Sequence, residues 1–173
     1  EKRIDFKFGR KNLLITFHSV TQEVDSSERQ FKNLLACFSQ LKNTKMIFTK
    51  ANSDTNGRII NQLIDAFVAE HTDSSIAFNS MGQLNYFSSM QYVDAVVGNS
   101  SSGLLEAPSF RIATINIGDR QKGRVLADSV INCIPTIDAI MGAIDKVYSK
   151  KFTEMLRNVK NPYDGGNPSK KIV

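Results

Sequence analysis

The chain has 173 residues, 41% of them hydrophobic, and carries 22 Lys and Arg against 17 Asp and Glu. That length suits one well-packed core and leaves hardly enough chain for two. The basic surplus sits at the ends: residues 1–11 and 150–173 together hold a net +7, the body holds −2, and a nucleic-acid-gripping face on the folded body is thereby discounted. No apolar run reaches transmembrane length and no charged-then-apolar leader opens the sequence, so a soluble, cytoplasmic protein off the membrane is expected. Cys37 and Cys133 stand alone in apolar segments and read as free core thiols, and His18 and His71 lack metal-ligand spacing; neither a disulfide nor a metal is expected.

In chain order, residues 1–10 read as a linker or boundary segment, 11–160 as the folded domain and 161–173 as a tail. The first strand is expected over Lys11 to Phe17, followed by the polar loop His18-Ser19-Val20-Thr21. A helix capped at Ser27, with Gln30 in the capping-box position, would then bury Leu34, Leu35, Phe38 and Leu41. Lys45 to Thr49 reads as a strand. The loop from Ala51 to Gly57 leads to a helix from about Arg58 to Glu70, whose stripe is Ile59, Ile60, Leu63, Ile64 and Phe67. Ser75 to Asn79 is a third strand and Gly82 to Gln91 a third helix.

Residues 93 to 97 form a charge-poor, β-branched run after Asp94, which suits a strand buried on both faces, and residues 112 to 117 read the same way. Between them lies Gly98-Asn99-Ser100-Ser101-Ser102-Gly103, a small-residue cluster able to turn sharply and to begin a helix near Ser101 or Ser102. Amides at such a helix start attract anions, phosphate most often. A strand over Ser129 to Ile134, a helix from Pro135 to about Tyr148 and a helical piece from Phe152 to Val159 complete the domain. Strands alternate with helices throughout, which implies an α/β fold: a parallel sheet with helices on both faces, Rossmann-like, binding ligand beyond the carboxyl ends of its strands. Three polar loops, starting at His18, Asn52 and Gly98, should converge on that rim.

On residues alone, the serine cluster fits an anion cradle and an ordinary helix cap equally well. Glu106, four residues after Ser102, would lie on the same helix face about 6 Å further along, where a carboxylate can accept both hydroxyls of a ribose. The alternative is a carboxylate that merely complements the helix dipole. Arg120 follows Gly118-Asp119 at a strand end and can close bidentately on a diphosphate, whereas Lys122 and Arg124 fit a solvated loop. For His18, spacing alone favours a solvated loop histidine.

Four segments together resemble the hydrolysing UDP-N-acetylglucosamine 2-epimerases of sialic acid biosynthesis: Thr16-Phe17-His18-Ser19-Val20-Thr21, Ala51-Asn52-Ser53-Asp54-Thr55-Asn56, Val97-Gly98-Asn99-Ser100-Ser101-Ser102-Gly103-Leu104-Leu105-Glu106, and Asn116 to Arg124. The likeness runs from about residue 11 to Asn161-Pro162-Tyr163. It implies the carboxyl-terminal half of a two-domain, glycosyltransferase-B-type enzyme that converts UDP-N-acetylglucosamine to N-acetylmannosamine and UDP, by eliminating UDP to a glucal and adding water. Carried over by position, it makes His18, Ser100, Ser101, Glu106 and Arg120 ligands of UDP, with His18 nearest the reacting bond and Asn52 on the same rim. No cofactor is implied. The proton-moving carboxylates would belong to an amino-terminal domain outside this chain, so the fragment alone should bind nucleotide and catalyse nothing, and the intact enzyme is expected to be a homo-oligomer. The chain departs from the family pattern at Ser19, where proline is usual, at Arg111-Ile112-Ala113, where Gly-x-Pro is usual, and in the tail, which has Asp-Gly-Gly for Gly-Asp-Gly. Rival readings are an epimerase for UDP-N,N′-diacetylbacillosamine, a UDP-sugar glycosyltransferase of the same fold, and a Rossmann-like binding module without catalysis. A transferase would show a second acid some turns after Glu106, and none occurs before Asp119.

Overall fold

A computed structural model describes residues 5–19, 24–51 and 55–165. The strands are β1 (Lys11–Thr16), β2 (Thr44–Thr49), β3 (Ser75–Phe78), β4 (Ala95–Gly98), β5 (Ala113–Ile117) and β6 (Val130–Cys133). The helices are α1 (Val24–Phe38), α2 (Thr55–Glu70), α3 (Gly82–Met90), α4 (Ser102–Leu105), α5 (Ile137–Val147) and α6 (Lys150–Leu156), with a 3-10 turn at Ala107–Phe110. The strands form one six-stranded sheet in the order β3-β2-β1-β4-β5-β6, and every pairing is parallel. Strand order reverses between β1 and β4. That crevice is where such sheets hold their ligands.

Alternation along the strands sends side chains into two cores. Leu13, Ile15, Met46, Phe48, Val97 and Ile115 face α1, α2, α5 and α6. Leu14, Ile47 and Val96 face the other way, toward Met81, Met90 and Ala107. Both faces are therefore covered, which makes a three-layer α/β/α sandwich and explains why the central strands are apolar without a polar side. Cys37 and Cys133 are free and buried in the first core; burial, and then the neighbouring Cys37, pushes the Cys133 thiol up to about 11.

Several element boundaries differ from the sequence expectation. α1 begins at Val24, a turn before the expected Ser27 cap, so Ser27 is buried within the helix instead of ending it. α2 likewise starts at Thr55 and not Arg58. α6 starts at Lys150 because Ser149 caps it, its hydroxyl accepting from Phe152 N at 3.3 Å. The largest correction concerns the helix after the serine cluster. It is a single turn, because Pro108 lacks an N–H to continue the ladder and the chain tightens into the 3-10 turn. Of residues 1–10, Phe6 and Phe8 pack against the second core, and Phe8 stacks on Tyr92 with centroids 5.3 Å apart. Asn161, at the start of the expected tail, donates through Nδ2 to Leu105 O at 2.8 Å and so satisfies a carbonyl at the end of α4.

Candidate functional site

Two glycines let the rim of the sheet close up. Gly98 has φ +137°, and a β-carbon there would lie 2.0 Å from Thr16 O, so only glycine allows β4 to press its last residue against β1. Gly103 gives α4 the same closeness to β5: a β-carbon would meet Thr114 Cγ2 at 2.6 Å, and Thr114 Oγ1 donates to Gly103 O.

The residue that follows Gly98 ties the rim together. Asn99 is only 1% exposed. Its backbone N donates to Thr16 O at 3.2 Å, its Oδ1 accepts from His18 N at 2.7 Å, and its Nδ2 donates to His18 O at 2.8 Å. Its own carbonyl accepts from Arg120 Nη1 at 2.9 Å and Gln121 Nε2 at 2.8 Å. One asparagine thus clamps the loop after β1, the loop after β4 and the loop after β5.

Two hollows flank this clamp. The smaller, about 370 Å³, is lined by Thr16, His18, Ser102, Glu106, Tyr86 and Met81, among others. The larger, about 580 Å³, is lined by Asn99, Asn116, Gly118, Arg120, Gln121 and Lys122, with further residues from α1 and β6. Both volumes fall in the range of small-molecule sites.

In the smaller hollow, Tyr86 OH and Ser102 Oγ share a hydrogen bond of 2.7 Å. Burial pushes the Glu106 carboxyl above the usual carboxylate range, an effect that a hydrogen bond from Ser102 partly opposes, and Glu106 Oε2 has no partner among the described residues. Oε2 is buried, while Glu106 as a residue lines the hollow. In the larger hollow, Arg120 is exposed and aimed by its bond to Asn99 O, with a guanidinium face left for an anion.

The expected site residues therefore gather at the carboxyl rim, though not in the expected arrangement. His18 and Glu106 line one hollow and Arg120 lines the other. Glu106 does come one turn after Ser102, its N donating to Ser102 O at 3.0 Å, but it is the C-cap that ends α4, with φ −105°. Ser101 stands at the N-cap position with helical backbone and makes no side-chain cap, while Ser100 Oγ accepts from Ser102 N at 3.4 Å. A single turn has too few aligned amides for the helix-end anion site read from the sequence. What remains at that point is a hydroxyl-rich turn between the two hollows. Asn52 lies outside the described residues. Asn99, Gln121 and Tyr86 were not singled out by the sequence reading. Asn99 stood inside the quoted motif, and an amide side chain between Gly98 and Ser100 at a strand end was the available signal. Among the described residues no helix is long and apolar enough to cross a membrane.

The whole chain, residues 1–173, matches the family model for UDP-N-acetylglucosamine 2-epimerase. It is 39% identical over 154 residues to a Campylobacter jejuni protein named GDP/UDP-N,N′-diacetylbacillosamine 2-epimerase (hydrolyzing), covering 89% of this chain and 40% of that protein. The structure resembles UDP-GlcNAc 2-epimerase from Neisseria meningitidis bound to UDP-GlcNAc, with TM-score 0.75 and 17% identity, across 94% of this chain and 43% of that one. It also resembles the C-terminal domain of a group 1 glycosyl transferase from Francisella tularensis, with TM-score 0.60 and 14% identity over 94% of this chain and 86% of that one. The fold is thus that of the C-terminal half of a glycosyltransferase-B-type protein, and the chain spans about two fifths of the length of the curated relatives it matches. The chain belongs to the UDP-N-acetylglucosamine 2-epimerase family.

Proposed function

We propose that this chain is the UDP-binding half of a hydrolysing UDP-sugar 2-epimerase. The observation that carries the reading is the pair of hollows on either side of Asn99 at the point where strand order reverses, one holding Glu106 and the other Arg120. In this reading the uridine enters the smaller hollow and the ribose hydroxyls donate to the carboxylate of Glu106, which lines that hollow. The diphosphate crosses the Asn99-Ser100-Ser101 turn, meeting the serine hydroxyls and the Arg120 guanidinium. The sugar then projects toward the larger hollow. His18, fixed through both of its peptide groups by Asn99, is assigned in this reading to the bond from the sugar to the β-phosphate.

The reaction assigned to the intact enzyme removes UDP to leave a glucal and then adds water, releasing N-acetylmannosamine when the sugar is UDP-N-acetylglucosamine. The task of this half is to stabilise charge on the departing β-phosphate. A preorganised donor in such a position is worth about 2.7–4 kcal/mol. The proton-moving groups are assigned to the other half. The Campylobacter relative's name favours UDP-N,N′-diacetylbacillosamine as a second substrate reading.

Product analysis tests the reading. Full-length protein supplied with UDP-N-acetylglucosamine or its diacetylbacillosamine counterpart should release UDP and the 2-epimerised free sugar without any added acceptor. Release that requires an acceptor would make the protein a transferase, and no binding of UDP would leave only a Rossmann-like module.

A further inference from the structure

The smaller hollow is lined by a row of hydroxyls to which the nucleotide reading gives no task. Thr16 and Thr49 are the last residues of β1 and β2 and stand in register, and their Oγ1 atoms are 2.7 Å apart. Tyr86 on α3 and Ser102, the first residue of α4, share a second contact of 2.7 Å between OH and Oγ. Thr16 also bonds the Tyr86 hydroxyl, and Ser102 also bonds the Glu106 carboxyl one turn further on. All five residues line the hollow. At the far end Thr49 Oγ1 reaches Ile15 O at 3.3 Å. Four separate elements and the cap of α4 thus supply one continuous line: Ile15 O, Thr49, Thr16, Tyr86, Ser102, Glu106.

The protons available to this line set its direction. Each hydroxyl donates once and Ile15 O only accepts, so with Glu106 ionised, and also only accepting, one link lies without a proton. With every donor pointing toward Glu106 the empty link is the one from Thr49 to Ile15 O, which at 3.3 Å is longer than the two of 2.7 Å. A protonated Glu106 supplies one more proton, and all the links are then filled when every donor turns the other way, toward Ile15 O. Hydroxyls in such a row polarise one another, so donation to Glu106 is strengthened by groups that do not touch it. Burial pushes the Glu106 carboxyl up, and donation from Ser102 opposes that push.

The other titratable groups around the hollow are His18, after β1, and Lys50, after β2, which is paired with Asp65 at 2.7 Å. Within α3 only Tyr86 titrates; β4, α4, the 3-10 turn and β5 contain no titratable side chain. The tail packed at Leu105 and Ser109 does so through Asn161, which is neutral.

We propose that Tyr86 and Thr16 are positioning residues for the nucleotide: through the hydroxyl line they aim Ser102 at Glu106 and hold its carboxylate in the ionised, accepting form. The inference rests on the reading in which Glu106 takes the ribose hydroxyls, and adds to it the residues that keep Glu106 an acceptor.

Titration of the full-length protein with UDP across the pH range tests it, in the wild type, Tyr86→Phe, Thr16→Val and Thr16→Ser. Well above the pH at which Glu106 protonates, the four should bind UDP within about threefold of one another. On acidification Tyr86→Phe and Thr16→Val should lose affinity from about half a pH unit or more above the wild type, whereas Thr16→Ser, which keeps the hydroxyl, follows the wild type. His18 and the terminal phosphate of UDP titrate in the same range. Both persist in Glu106→Gln, and there the addition of Tyr86→Phe should shift nothing. The midpoint of each profile does not depend on the amount of folded protein, and Thr16→Val carries the test where Tyr86→Phe is not recovered. Profiles of Tyr86→Phe and Thr16→Val that coincide with the wild type overturn the proposal, as does an equal shift when residue 106 is already glutamine. A wild type that binds no UDP at any pH is a different result: it removes the nucleotide reading, and this inference with it.

Discussion

Asn99 holds His18 by its peptide and not by its ring: Asn99 Oδ1 accepts from His18 N at 2.7 Å and Asn99 Nδ2 donates to His18 O at 2.8 Å. A side-chain amide here does the work of a neighbouring strand, extending the β1–β4 pairing past the last strand residues, Thr16 and Gly98. Asn99→Ala removes both of these bonds from a part-buried place, and a destabilisation of about 1–3 kcal/mol is expected. Asn99→Asp keeps the acceptor and sets an oxygen against His18 O. It should be at least as damaging, and thermal unfolding of the two variants beside the wild type checks the order.

Glu106 links stability to pH in a direction opposite to that of a paired carboxylate. Burial raises its folded pKa above the unfolded value, so the fold favours the protonated form. Its contribution is fully present below the unfolded pKa and is lost as pH rises through the higher folded pKa. Glu106→Gln should therefore stabilise the protein at neutral pH, by less than about 1 kcal/mol because water still reaches part of the carboxylate. The same substitution should weaken UDP binding at neutral pH. Wild-type affinity should fall on acidification from a higher pH than for an ordinary carboxylate, while Glu106→Gln shows a flatter profile. Denaturation and titration across the pH range separate the two effects.

Gly98→Ala places a methyl 2.0 Å from Thr16 O at φ +137°. No rotamer relieves a β-carbon clash with backbone, so the loss should be at least about 3 kcal/mol. The expected readout is poor recovery of folded protein or a large fall in Tm.

Arg111 gives the opposite case. It is exposed and adopts φ 56° and ψ 34°, the left-handed region, at the position where the family resemblance has glycine. The left-handed cost for a residue with a β-carbon is about 1–2 kcal/mol, partly offset by the extra freedom glycine has when unfolded. Arg111→Gly should raise stability by about 0.5–1 kcal/mol, read as a higher denaturant midpoint with unchanged slope.

Much of this fold is visible in local sequence. Apolar runs such as Leu13-Leu14-Ile15 and Ala95-Val96-Val97 have nowhere to go except a sheet covered on both sides, and the helices between them make the sheet parallel. The rim loops follow from strand direction, which is why His18, Ser100, Ser101, Glu106 and Arg120 come out on one end of the molecule. Their mutual arrangement does not follow. Spacing put Glu106 one turn after Ser102, where it is, but not how soon the helix stops: Pro108 and the 3-10 turn that holds it end α4 after a single turn. Gln121 lies in a loop whose residues Lys122 to Leu126 are exposed, yet it is buried and bonded to Asn99 O, 22 positions away. Asn116 reads as one polar residue in an apolar strand. That its Oδ1 has no donor among the described residues depends on what β6 and the loop after β5 present to it.

In the proposed function a uridine diphosphate lies across Asn99 with Arg120 at its phosphates. Titration of UDP and uridine into the wild type and Arg120→Ala tests this most directly. UDP affinity should fall by about tenfold or more on losing a charge-assisted bidentate contact, while uridine affinity stays the same. Equal UDP affinity in the two proteins would contradict the account.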